Sequence, residues 1–200
     1  MKTALKLPFG TSFLSVNVPD SADILLPKPT SPARDQAGLI LKALQDMPLK
    51  ISERIKPGIR AGIVINDKTR PSPNELFLPL LKSWLNQRGV PDGSITFYIA
   101  NGTHLPMSPS EYHRILPREI INSCNVHSHN ALDNANLEKL GTTTRNTPIL
   151  INSAFLSEDV KICVGDIEPH HFAGFSGGYK TAAIGLAGME TIRKNHALLK

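Results

Sequence analysis

Ala61-Gly62-Ile63-Val64-Ile65, followed at once by Asn66-Asp67-Lys68-Thr69-Arg70-Pro71, is the stretch from which the fold can be read. Its apolar run is β-branched and lacks polar alternation. That pattern describes a strand buried on both faces, as in a parallel sheet covered by helices. The abrupt change to polar residues marks the strand's carboxyl end, and the loop carries on to Asn74. Glu75 to Gln87 then has apolar residues at helical spacing and stops at Arg88-Gly89. Ile95 to Ala100 repeats the strand and runs into Asn101-Gly102-Thr103-His104. Val160 to Val164 repeats it again and runs at Gly165 into a long loop rich in Gly and His. Strand, polar loop and helix in alternation predict an α/β domain, Rossmann-like, with a mainly parallel sheet and flanking helices.

Upstream, Ala4 to Pro8 and Phe13 to Val18 alternate about Phe9-Gly10-Thr11, which predicts an N-terminal β-hairpin. Pro19, Pro27, Pro29 and Pro32 make residues 19–32 extended and irregular. Ser31-Pro32 reads as an N-cap with proline at the first helical position. Leu39, Ile40, Ala43, Leu44 and Met47 supply the buried face of that helix, and Pro48 ends it. No internal repeat or low-complexity tract is visible.

The 200 residues are 40% hydrophobic and 20% charged, enough for a sizeable core and outside the composition of disordered chains. The net charge of +5 is spread without Lys/Arg clusters, which excludes a nucleic-acid-binding stripe. Cys124 and Cys163 form no C-x-x-C pattern and read as two half-buried thiols of a reducing compartment. The first residues, MKTALKLPFG, lack the apolar stretch of a signal peptide. No run reaches the roughly 18 apolar residues of a membrane span, so the expectation is a cytoplasmic chain without membrane contact.

If the strands are parallel, the loops after Ile65, Ala100 and Val164 share one sheet edge, where open α/β sheets bind ligands. The densest of them is Gly165 to Thr181, which contains Glu168-Pro169-His170-His171-Phe172-Ala173-Gly174-Phe175-Ser176-Gly177-Gly178-Tyr179-Lys180. Its glycines let backbone approach a ligand closely, its N–H groups can cradle an anion, and Lys180 offers a cation or an amine nucleophile. A phosphate-binding P-loop fails by one position, because Tyr179 stands where the glycine before the lysine is required. His170 opens the loop, and His171, its neighbour, reads as the structural member of the pair. His104 has the same placement after a strand, so His104 and His170 can flank one substrate as acid and base. Asp67 and Arg70 form a D-x-x-R loop in which Arg70 can fork onto a carboxylate or phosphate, although a local ion pair is an equal reading. His127 and His129 sit at strand spacing on one face without a third ligand, and His113 reads as solvated. His196 lies on a helix starting near Gly188, with Met189 and Ile192 on the same side. That helix still carries Ala197, Leu198 and Leu199 at Lys200 without a stop signal, so the chain reads as cut.

Taken together, Asp67 to Pro71, Ala100 to His104, Gly165 to Lys180 and Gly188 to His196 resemble the nickel-dependent lactate racemase family, which uses a nickel-pincer nucleotide. The resemblance covers about residues 5–200, the N-terminal half of a family member. It implies that residues 1–200 are an N-terminal cofactor-binding domain whose C-terminal domain is missing. Lys180 would hold the cofactor covalently, and His196 would be the protein ligand to nickel, in a square-planar geometry that suits Ni(II). His104 and His170 would be the general acid/bases. Asp67 and Arg70 would belong to the cofactor and substrate pocket, and Ser176, Gly177 and Gly178 would lie against the nucleotide. The implied partners are a small 2-hydroxy acid, the missing domain and cofactor-synthesis enzymes. The residues alone also allow a nucleotide- or phosphate-binding module without turnover, or an inactive fragment.

Overall fold

The computed structural model describes all residues except Met1, Pro27, Pro29, Pro71, His171 and 198–200. Readings that fall on those positions, including the structural role of His171 and the apolar Leu198 and Leu199, lie outside the described residues. The chain divides into two compact units, residues 1–34 and 35–200.

The first unit is the expected antiparallel hairpin of β1 (Lys2–Phe9) and β2 (Ser12–Pro19), turned at Gly10 with φ 59°. The second contains, in order, α1 (Gln36–Gln45), α2 (Leu49–Ser52), β3 (Ala61–Asn66), α3 (Asn74–Asn86), β4 (Ile95–Ala100), α4 (Arg118–Ser123) and β5 (Asn125–Ser128). After these come β6 (Leu137–Thr142), β7 (Pro148–Asn152), α5 (Ser153–Ser157), β8 (Val160–Cys163), β9 (Pro169–His170), β10 (Gly174–Phe175), α6 (Gly178–Ala183) and α7 (Met189–His196).

A four-stranded sheet of order β5-β4-β3-β8, parallel throughout, organises the second unit. The alternating positions of the quoted stretch explain why it is central. Ile63 and Ile65 face one side with Phe97 and Ile99 of β4 and Leu78, Leu81 and Leu85 of α3, all essentially inaccessible. Val64 and Tyr98 face the other side, against Phe155 and Leu186. Each such aliphatic or aromatic side chain contributes about 1.5–3 kcal/mol when fully buried. Gly62 is needed for close packing, since a Cβ there would meet Glu158 Cγ at 2.7 Å.

One helix start differs from the sequence reading. Helix α1 begins at Gln36, because the Asp35 carboxylate caps it by accepting from Gly38 N at 2.8 Å. Ser31-Pro32 therefore lies outside the helix, and of the expected apolar face Leu44 is buried while Leu39 and Ala43 are exposed. The antiparallel pair β6/β7 had no prediction; Leu137-Glu138-Lys139-Leu140-Gly141-Thr142 carries mixed polarity and a register irregularity between Lys139 and Gly141. Both cysteines are free and half-buried, as expected. Among the described residues no helix is long and apolar enough to cross a membrane.

Candidate active site

Because β3, β4 and β8 are parallel, their carboxyl ends do share an edge, and the loops leaving them converge. Asp67, Arg70, His104, His170, Ser176, Gly177, Lys180 and His196 all line one cleft there. Gly178 does not line it; it is exposed in the first turn of α6.

The loop after β3 is built around Asp67, whose side chain is 4% exposed. Its Oδ1 accepts from Thr69 N at 3.1 Å and Thr69 Oγ1 at 2.6 Å, an Asx turn that closes the loop on itself. Its Oδ2 accepts from His104 Nδ1 at 2.7 Å. An ionised carboxylate can only accept, so Nδ1 carries the proton and Nε2 is left as the basic nitrogen of His104. The loop after β4 is held by buried Asn101, whose Nδ2 donates to Leu105 O at 3.0 Å, while Gly102 N donates to Gly185 O at 2.9 Å. That last bond ties the His104 loop to the end of α6, the helix that carries Lys180.

His170 has the opposite polarity. Its Nδ1 accepts from Phe172 N at 3.2 Å and Ala173 N at 3.3 Å, so in the neutral ring the proton sits on Nε2. One histidine thus presents a lone pair at Nε2 and the other an Nε2–H, each set by a local contact. His170 also lies edge-on to His196, ring centroids 6.3 Å apart, and Phe172 stacks on His196 at 4.9 Å.

Arg70 does not pair with Asp67, whose carboxylate is already committed. Its Nη1 lies 3.6 Å from Glu168 Oε2 in the third loop. Lys180 is half-buried, and burial, with the charge of Arg70, pushes its ammonium below the ordinary lysine value. A lysine so placed has a larger share of neutral, nucleophilic amine at a given pH.

The Gly/His loop is stapled internally. Buried Ser176 donates its hydroxyl to Asp166 O at 2.8 Å, accepts from Glu168 N at 2.9 Å, and donates N–H to Glu168 O at 2.8 Å. Its side chain thereby shapes the loop rather than facing a ligand. Gly177 has φ 72°, and a Cβ there would meet Asp166 O at 2.8 Å. Gly177→Ala is therefore expected to cost about 2–3 kcal/mol in chemical denaturation, combining left-handed strain with a backbone clash. Gly174→Ala, also at positive φ but with open space around it, should lose only about 1 kcal/mol.

Sequence reasoning missed three organisers of the cleft. Thr69 was legible in the D-x-T spacing of an Asx turn. Asp166 lies in the third loop with no local signal of its role; its Oδ1 accepts from Asn66 Nδ2 at 3.1 Å and from Ser72 Oγ, joining the first and third loops. His129 is not a strand-face partner of His127. It lies past the end of β5, 1% exposed, donating Nε2–H to Ala187 O at 2.9 Å and contacting Asn152 Nδ2 through Nδ1 at 3.3 Å. His127 is exposed beside Tyr98, and His113 is exposed with Nδ1 bonded to Ser110 O.

The donor set suits the group that the sequence resemblance implies. Among the described residues no three His, Cys, Asp or Glu side chains cluster to hold a metal by themselves. A metal in this cleft would take one imidazole from the chain and its other ligands from a bound organic group, with the Lys180 amine on the same cleft wall to hold that group. Thr181 adds a buried hydroxyl in the cleft lining with no hydrogen-bond partner among the described residues.

Comparisons with known proteins identify the family and the fold. Residues 9–200 match the model of the lactate racemase N-terminal domain family. The lactate racemase of Lactiplantibacillus plantarum is 33% identical over 148 residues, covering 74% of this chain and 35% of that protein. The lactate racemase of Thermoanaerobacterium thermosaccharolyticum is 28% identical over 198 residues, covering 96% of this chain and 46% of that protein. The structure of the apoprotein of a lactate racemase from T. thermosaccharolyticum superposes with TM-score 0.74 at 25% identity, over 95% of this chain and 45% of that one. A Thermotoga maritima protein shares the fold, with TM-score 0.66 at 24% identity, over 82% of this chain and 42% of that one. The chain thus spans less than half the length of the lactate racemases it matches.

Proposed function

Because the chain belongs to the lactate racemase N-terminal domain family, we propose that residues 1–200 are the cofactor-binding domain of a racemase or epimerase of a small 2-hydroxy acid. In this reading Lys180 holds a nickel-pincer nucleotide covalently and His196 is the protein ligand to its nickel. A C-terminal domain contributes further substrate contacts, and cofactor-synthesis enzymes load the site. The protein works in the cytoplasm, where two unpaired thiols stay reduced. The observation that carries the proposal is the convergence of two histidines, a half-buried lysine, an arginine and a third histidine on one cleft.

The side chains divide the work. Arg70 binds the substrate carboxylate, fixing which way the hydroxyl-bearing carbon faces. His104, with Nδ1–H held by Asp67, accepts the hydroxyl proton at Nε2. His170 is the second acid/base: as the imidazolium, with Nδ1 released from the Phe172 and Ala173 amides, it returns a proton from Nε2 to the carbonyl oxygen when the alcohol is re-formed. Two proton-handling groups are required because the two enantiomers present their hydroxyls differently to a fixed carboxylate anchor. When bound, the nickel-pincer nucleotide supplies the hydride acceptor that no side chain can provide.

Intact-mass measurement after co-expression with cofactor-synthesis enzymes tests the assignment. An adduct is expected on the wild-type chain and none on Lys180→Ala. An unchanged wild-type mass, together with nickel-independent binding of mononucleotides such as ATP, would favour a nucleotide-binding module instead.

A further inference from the structure

Three carboxylates surround the cleft, and they are not equivalent. Asp67 is buried and saturated by Thr69 and His104. Asp166 is occupied by Asn66 and Ser72. Glu168 contacts Arg70 at 3.6 Å, longer than a hydrogen bond, and its side chain is 55% exposed. Its backbone is the reverse: N–H and C=O are both pinned to Ser176, at 2.9 and 2.8 Å. The Cα cannot drift while the carboxylate can swing. Glu168 itself does not line the cleft, whereas Arg70 does.

We propose that Glu168 is a displaceable stand-in for the substrate carboxylate, holding the Arg70 guanidinium until an incoming 2-hydroxy acid takes its place. This rests on the reading of Arg70 as the carboxylate anchor. The chemistry is exchange of one carboxylate for another on a single guanidinium, with no bond made or broken and no net change in paired charge. An exposed pair of this kind is weak, so its displacement lowers substrate affinity only modestly. In return the guanidinium keeps a compensating charge near Lys180 when the cleft holds no substrate. The contact raises the carboxylate concentration needed for half-occupancy and does not block the site.

The test is titration of the cofactor-loaded protein, with its C-terminal domain, with L-lactate, followed by the side-chain Nε–H resonance of Arg70 and by backbone resonances of the cleft. Glu168→Gln is expected to bind L-lactate about two- to five-fold more tightly than wild type, the range of a lost surface ion pair. Arg70→Gln should weaken binding, and Glu168→Gln/Arg70→Gln should match Arg70→Gln, because the gain needs the guanidinium. Equal affinity in wild type and Glu168→Gln, with Arg70→Gln still impaired, overturns the stand-in and leaves the anchor reading intact. A gain that persists in the double variant also overturns it, since Glu168 would then act by charge alone. If Arg70→Gln leaves lactate affinity unchanged, the anchor reading falls and the proposal with it.

Discussion

Asp67→Asn is expected to lower turnover of the cofactor-loaded protein by about 10³- to 10⁴-fold, the scale of losing the aspartate that orients a catalytic histidine. The substitution preserves shape and, through Oδ1, the acceptor that closes the Asx turn with Thr69. At Oδ2 it exchanges an acceptor for an amide N–H donor, facing His104 Nδ1 at hydrogen-bond distance. The ring then accepts at Nδ1 and carries its proton on Nε2, which removes the base from the side left for substrate. Imidazole ¹⁵N spectra of the chain without cofactor report the tautomer directly. The expected result is a switch from Nδ1–H to Nε2–H with an otherwise unchanged spectrum. A large rate loss with an unaltered tautomer would mean that Asp67 acts in another way.

The second large effect concerns a residue outside the cleft. His129→Ala should destabilise the domain by about 2–4 kcal/mol, since it opens a cavity and leaves the buried Ala187 carbonyl without its side-chain donor. Burial, foremost, holds the His129 imidazole below its ordinary value near 6.5, so the folded protein keeps it neutral. The sign follows from proton counting. Below pH 6.5 the unfolded chain binds a proton at this ring and the folded chain does not, so stability falls as pH drops. This contribution is complete above about pH 6.5 and is lost at up to about 1.4 kcal/mol per pH unit down to the depressed folded value. Urea unfolding of wild type and His129→Gln at pH 7.5, 6.0 and 5.0 checks it: the wild-type curve should fall more steeply with acid. Parallel curves would show that the acid sensitivity arises elsewhere.

His129 also bears on the proposed chemistry through position. Ala187 lies between α6, with Lys180, and α7, with His196. The segment is further stitched by Gly188 N to Leu150 O and Met189 N to Ala131 O, both at 2.9 Å. The spacing between Lys180 and His196 therefore depends on a buried polar post in another part of the fold.

Reading the fold from sequence worked where the signal was local. Ile63, Val64 and Ile65 exclude any solvent-facing side, and the polar residues after each apolar run mark a carboxyl end wherever that strand lies. It failed where two local signals competed or were weak. Ser31 and Asp35 are both good N-cap types, and only the observed bond from Gly38 N selects Asp35. The mixed polarity of Leu137 to Thr142 fits a half-exposed strand no better than a loop, so β6 became visible only through its pairing with β7.

The sequence by itself determined the class of fold, the three loops that would form the site, and the residue types they bring to it. It did so because continuous apolar runs and strand-end loops are properties of short stretches. Tertiary structure decided which partner each of those residues received. His104 is set by Asp67, 37 positions away, and His170 by amides in its own turn; Arg70 faces Glu168 instead of its neighbour Asp67. The partners of His104 and Arg70 follow from the parallel register that places the ends of β4 and β8 on either side of β3, and a register between distant segments is written in no single stretch of chain.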